Sequence, residues 1–237
     1  MSPRNFITVV CSPRPRVGKT LVARLLADFH LHNGRKISAF DINVDDPALS
    51  GFLPEHAVPA DVTEINGQMA LFDQLVAEDG SYKIIDVGHP AFRTFFAVAR
   101  QIDLAEELCR RGLVLVVLFI ATPDAASVEA FGRLRHDFPQ AAIVPIHNEL
   151  LGPARQRGKF ASPGAGSKAA HIPALPPGLR KFIDRRPFSL TEPAGDVPLE
   201  THLELQRWVR KAHVEFREME LRVLLSNLQR SLKVQSR

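Results

Sequence analysis

The sequence predicts an α/β fold, a mostly parallel sheet flanked by helices in three layers and completed by a C-terminal helical extension. Three observations lead there. Apolar runs rich in Val and Ile recur without polar alternation, as strands covered on both faces require. Each run is followed by a segment with helical spacing of apolar residues. The chain has 237 residues, 45% hydrophobic and 24% charged, which is globular composition sufficient for one large domain.

Taken in order, the strand-like runs are Phe6–Val10, Ile37–Phe40, Lys83–Ile85, Leu113–Ile120 and Ala142–Ile146. After the first run comes a loop ending Gly18-Lys19-Thr20, and then Leu21, Leu25, Leu26 and Phe29 share one helical face until Asn33-Gly34 supplies the stop. Strand, loop, helix and strand make a βαβ unit. Further helices are predicted at Gln68–Val76, Pro90–Arg100, Leu104–Arg111 and, after the Thr122-Pro123-Asp124 turn, Ala125–His136. Gly152–Pro177 holds Gly, Pro, Ser and basic residues with few large apolar ones and reads as a long irregular crossing with a mobile loop. From Leu199 to Leu232 helical spacing returns, with Leu205, Trp208, Val209, Ala212, Phe216, Met219 and Val223 on one stripe.

Composition excludes several classes. A net charge of +4 and a pI near 9.3 permit contact with phosphates or acidic surfaces without demanding it. Two cysteines, Cys11 and Cys109, form no CxxC pair, so no disulfide framework or zinc knuckle is available, and both read as small buried hydrophobes. The longest apolar run, Leu113–Ala121, falls short of the ~20 residues of a spanning helix, and a soluble cytoplasmic protein is the expectation. The nine histidines show no metal-ligand spacing and no nucleophile motif appears, so metal-hydrolase and acyl-transfer readings drop out.

The chemistry concentrates in Ser12-Pro13-Arg14-Pro15-Arg16-Val17-Gly18-Lys19-Thr20, between a strand and a helix whose amino end offers free N–H groups and a positive dipole. A triphosphate suits that position. Lys19 would reach the β- and γ-phosphates, the Thr20 hydroxyl would coordinate Mg²⁺, and Gly18 would let the backbone approach the anion. The phosphate contacts then fall on Arg16, Val17, Gly18, Lys19, Thr20 and Leu21. Pro13 stands where the usual GxxxxGK[ST] loop has glycine.

Strand, loop and helix resemble the deviant Walker A, KGGxGKT, of the MinD/ParA group of P-loop ATPases, which falls here on Arg14 to Thr20. The resemblance places Arg14 at the signature lysine, which in the family reaches the partner subunit's nucleotide. Pro15 and Arg16 replace two glycines, removing one N–H and adding a Cβ. Arg14 or Arg16 would act as an arginine finger; the plainer alternative is two solvated loop arginines.

The resemblance extends to the strand ends. Asp41, in Phe40-Asp41-Ile42-Asn43, matches the first acid of the family's DxD, with Asn43 at the second place; Asp45 and Asp46 either substitute for it or cap a helix beginning near Pro47. Asp86 closes a Walker B-like strand and would bind Mg²⁺ through water, or else serve as a cap. Asn148 matches the asparagine that contacts the adenine, the alternative again being a cap. The catalytic set implied is Lys19, Asp41 and Arg14, and the metal set Thr20 and Asp86.

One P-loop domain spanning 1–237 follows, with a nucleotide-binding core at 1–150, an irregular region at 151–177 and a helical part at 178–237. The family implies a slowly hydrolysing ATPase that binds ATP and Mg²⁺, forms a homodimer with ATP, and serves as a switch that partitions or positions an unknown protein partner. Arg207, Arg210, Lys211, Arg217, Arg222, Arg230 and Lys233 offer nonspecific contact with DNA or a membrane surface. Two alternatives remain open: an ATP-dependent metabolic enzyme of the dethiobiotin synthetase or cobyrinate amidation type, and a module that binds nucleotide without hydrolysing it.

Overall fold

The computed structural model describes residues 6–43, 46–152, 160, 168–190 and 197–235, with side chains through 229. Seven strands, β1 (Phe6–Cys11), β2 (Ile37–Ile42), β3 (Ala57–Pro59), β4 (Tyr82–Val87), β5 (Val114–Ile120), β6 (Ala142–Asn148) and β7 (Ala170–Ile172), form one parallel sheet in the order β3-β2-β4-β1-β5-β6-β7. The helices are α1 (Lys19–His32), α2 (Ala48–Phe52), α3 (Ile65–Val76), α4 (Phe92–Gln101), α5 (Leu104–Arg110), α6 (Ala125–Asp137), α7 (Arg180–Ile183) and α8 (Leu199–Gln235).

Handedness explains which helix lies on which face. Parallel crossovers are right-handed, so connections moving opposite ways along the sheet must lie on opposite faces. The steps from β1 to β2 and from β2 to β3 run one way, and α1 and α2 join one core cluster with α7 and α8. The steps from β3 to β4, β4 to β5 and β5 to β6 run the other way, and α3 to α6 form the second cluster. Strand alternation serves both: Ile7, Val9 and Cys11 of β1 face the second cluster, and Phe6 and Val10 the first. The chain therefore leaves β1 toward one face while both its neighbours, β4 and β5, leave toward the other. That opens a crevice beyond the carboxyl end of β1.

The seven stripe residues predicted for the tail are all buried in α8, from Leu205 to Val223, and Phe216 packs on Phe29 of α1 with ring centroids 5.9 Å apart. An ion pair adds to that contact. Arg35 donates to the buried Glu220 at 2.6 Å and to the His30 ring at 3.0 Å. Burial, reinforced by Arg35, pushes the His30 pKa down to about 3, so its ring is neutral and accepts from Arg35.

The structure departs from the sequence reading in four places. Gly152–Pro177 is not wholly irregular, because β7 adds to the sheet edge beside β6; 153–159 and 161–167 lie outside the described residues. The short strand β3 was not expected, since three residues carry no period to detect, whereas α2 stands where a helix beginning near Pro47 was one of the alternatives. Helix α3 begins at Ile65, ahead of Gln68. Cys11 is buried as expected, whereas Cys109 is exposed on the solvent side of α5.

Candidate functional site

At the carboxyl end of β1 the chain is held before it turns. Ser12 Oγ donates to the Ile120 carbonyl at 3.1 Å and accepts the Arg14 N–H at 3.3 Å, fastening the loop's start to β5. The loop then enters left-handed backbone at Arg16 (φ 56°) and again at Gly18 (φ 90°). Glycine is needed at the second position for two reasons, its φ and its neighbour, because a Cβ there would lie 2.6 Å from Asn148 Nδ2. Asn148, at the end of β6, donates Nδ2 to the Val17 carbonyl at 3.0 Å and accepts the Leu150 N–H at 3.1 Å. It is a bracket holding the loop against β6, and the cap of the short turn Glu149–Leu151.

Helix α1 starts without a side-chain cap, and its first backbone bond runs from the Val22 N–H to the Gly18 carbonyl at 3.0 Å. The N–H groups of Lys19, Thr20 and Leu21 therefore have no acceptor within the helix, and the positive end of the dipole lies among them. Lys19 Nζ, largely buried, donates to the Arg14 carbonyl at 2.8 Å, and burial lowers its pKa against the pull of Asp86.

Behind Thr20 stand two carboxylates. Asp41 and Asp86 are register partners on β2 and β4, so their side chains project on the same side of the sheet. Thr20 Oγ1 donates to Asp86 Oδ2 at 2.6 Å, while Asp86 Oδ1 has no partner among the described residues. Burial pushes the Asp86 pKa up to about 7, opposed by the Thr20 hydrogen bond and reinforced by the charge of Asp41. Asp41 Oδ2 accepts the Ser50 N–H at 3.0 Å, taking over the cap of α2 from a distance, and its Oδ1 is likewise unpartnered. Its pKa is raised, mainly by burial. Gly88 lets β4 end tightly against β2, since a Cβ there would meet Asn43 Oδ1 at 2.6 Å.

The loop arginines separate. Arg14 turns to Asp124, the N-cap of α6, with Nε at 2.9 Å and Nη2 also in contact; this bond holds the Asp124 carboxyl well below the usual range. Arg16 is exposed and makes no hydrogen bond or ion pair among the described residues. Asp46 does not cap α2, whose N-cap is Pro47; it pairs with Arg186, Nη1 to Oδ1 at 3.0 Å and Nη2 to Oδ2 at 3.4 Å. Asp45 lies outside the described residues.

A cavity of about 1010 Å³ opens here, and Arg16, Val17, Gly18, Lys19, Thr20, Leu21 and Asn148 all line it. Asp86 sits one hydrogen bond behind its wall, Asp41 sits beside Asp86, and Arg14 does not line it. Leu150, Leu151, Leu175 and Pro177 form an apolar shelf on the Asn148 side. The opposite wall, with Arg24, Phe52, Arg180 and Arg186, was not foreseen from the sequence. Arg24 follows Thr20 by one turn on the same helical face, a signal that spacing offered; Arg180 and Arg186 arrive from far along the chain and carry none. No cluster of three or more His, Cys, Asp or Glu side chains that would hold a metal ion occurs among the described residues.

The sequence matches no protein-family model and no curated protein. Among solved structures the chain is similar to a nucleotide-binding protein from Archaeoglobus fulgidus, in complex with ADP and with Co. The TM-score is 0.52 and the identity 16%, over 76% of this chain and 86% of that chain. What the two chains share is the fold: a parallel sheet between two helical layers.

Proposed function

We propose that the protein is a P-loop ATPase of MinD/ParA type that binds ATP with Mg²⁺, hydrolyses it slowly and changes partner as it does so. One observation carries the reading. The amino end of α1, whose first N–H groups have no acceptor within the helix and no side-chain cap, and the six loop and first-turn residues from Arg16 to Leu21 line a single cavity large enough for a nucleotide. The ADP bound by the Archaeoglobus protein of the same fold supports it.

In this reading the phosphates lie on the N–H groups of Gly18 to Leu21, and Lys19 exchanges the Arg14 carbonyl for phosphate oxygen. The base rests on the apolar shelf of Leu150 and Leu151, where Asn148 keeps a second amide hydrogen for it. The residues present also fit a magnesium ion, because two buried carboxylate oxygens beside a hydroxyl lack partners among the described residues. Thr20 would hold the ion directly and Asp86 through water, phosphate oxygens completing the shell. When bound, such an ion offsets charge on the phosphates during transfer. Asp41, through its unpartnered Oδ1, would orient the attacking water.

The dimer of this proposal meets across the nucleotide. Arg14 must leave Asp124 to cross such an interface, whereas Arg16 already stands free on the same loop. An unknown protein partner, or a DNA or membrane surface touched by exposed Arg207, Arg210, Lys211 and Arg217 of α8, would read the change. A second reading, an ATP-dependent enzyme acting on a small acid, draws on the arginines of the far wall.

Calorimetry with ATP or ADP and Mg²⁺ tests the proposal. The wild-type chain binds, and Lys19→Ala weakens binding by about tenfold or more, the worth of a charged hydrogen bond. No heat from ATP, ADP, GTP or GDP in folded protein sinks it.

A further inference from the structure

The far wall of the cavity has a charge the nucleotide reading leaves unused. Arg24 lies four residues beyond Thr20 on α1, roughly 6 Å along the helix. It is 3% exposed. Its Nη1 donates to the Ile183 carbonyl at 2.8 Å and its Nη2 to the Phe188 carbonyl at 3.5 Å, a long contact. Nε has no acceptor among the described residues, and no carboxylate of those residues reaches Arg24 within ion-pair distance. Asp184 and Asp28 act on it only at longer range. Buried charges are ordinarily paired, because desolvation is repaid only by a close counter-charge.

A second guanidinium makes the imbalance worse. Arg24 lies over the Phe52 ring at 3.7 Å from its centroid, and Arg186 lies over the same ring at 4.9 Å. Two cations on one ring repel: burial lowers the Arg24 pKa to about 10, and Arg186 is among the groups pushing it down. Among the described residues the one carboxylate that reaches either of them is Asp46, which occupies the Arg186 fork. That pair is exposed, 41% at Arg186 and 66% at Asp46, so it is weak and exchangeable. Both its members line the cavity.

We propose that the wall built by Arg24, Phe52 and Arg186 binds the oxyanion group, carboxylate or phosphate, of a small ligand other than the nucleotide. The group displaces Asp46 from the Arg186 fork, whose planar geometry matches either oxyanion, and supplies the negative charge that Arg24 lacks. Asp46 is the internal stand-in for that ligand. The inference rests on the nucleotide reading only in taking the loop end of the cavity as already assigned.

The test titrates the full chain with succinate and, separately, inorganic phosphate, following melting temperature and heat, with and without saturating ADP and Mg²⁺. Response to one probe alone identifies which oxyanion the wall prefers. Wild type should show saturable binding, Arg186→Gln should weaken it about tenfold, and Asp46→Asn should tighten it about threefold by removing the competitor. Arg207→Gln, an exposed position on α8 that does not line the cavity, should leave it unchanged. A purely structural Arg186–Asp46 pair would not tighten binding in D46N. The proposal is overturned if neither probe binds, if D46N and R186Q both behave as wild type, or if K19A rather than R186Q abolishes binding, which places the anion in the loop. ADP titrated alone separates the two readings: protein that ignores ADP yet binds a probe through Arg186 loses the nucleotide proposal and keeps this one.

Discussion

Asp86 is buried with one oxygen on Thr20 and the other unpartnered among the described residues, and its raised pKa has a consequence for stability. Between the ordinary carboxyl range and about 7 the folded chain holds a proton that the unfolded chain has released. Stability from this group is therefore present at low pH and lost as pH rises through about 7. His30 works the other way below its ordinary value of 6.5, since folding keeps it neutral. The diagnostic is thus the difference between proteins: in ligand-free melts from pH 5 to 8, wild type should lose stability relative to Asp86→Asn. A parallel course, or the opposite slope, removes the buried proton. The residue types at the site were legible, because a Gly-Lys-Thr turn and strand-end acids have chemistry of their own. Their partners were not: that Asn148 brackets Val17, or that Arg14 binds Asp124 across 110 positions, depends on which strand ends become neighbours.

At the scale of elements, α8 shows how far periodicity reaches. Its stripe was readable because a 3.6-residue repeat over so long a segment has few alternatives, and all seven of its residues are buried, joined by His213 and Glu220, which the apolar period does not mark. Phe216, fully buried against Phe29, should cost about 3–5 kcal/mol when cut to alanine, read as a shifted urea midpoint with unchanged slope. A loss below about 1 kcal/mol would mean that α8 is not part of the core. The short elements escaped for the converse reason. β7 is held by pairing with β6 and by the Glu215 carboxylate on the His171 N–H at 2.9 Å, contacts made by residues far away in sequence.

For the whole molecule, strand order decides where chemistry can occur. With β1 flanked by β4 and β5, and its own helix on the opposite face from theirs, loop, Thr20 and both carboxylates meet at one crevice. If that crevice operates as a dimer switch, mass by light scattering should double on adding ATP and Mg²⁺ and return to the monomer value with ADP. Arg16→Ala should impair the doubling more than Arg14→Ala, since Arg14 is engaged within its own chain. A mass that ignores the nucleotide, in protein shown to bind it, leaves the enzyme reading in its place.

Taken by itself, the sequence determined the α/β class, the first βα unit with its anion-suited turn, and the face on which α8 is buried. Each rests on local chemistry: hydrophobic period, a glycine where backbone must turn left-handed, a carboxylate at the end of an apolar strand. Only the tertiary structure decided that Asp41 and Asp86 stand side by side, that Arg14 is tied within its own chain, and that Arg24 and Arg186 share one phenyl ring. Those relations follow from crossovers and sheet order, which bring distant segments together through burial of both sheet faces, a property of the whole chain that no short window contains.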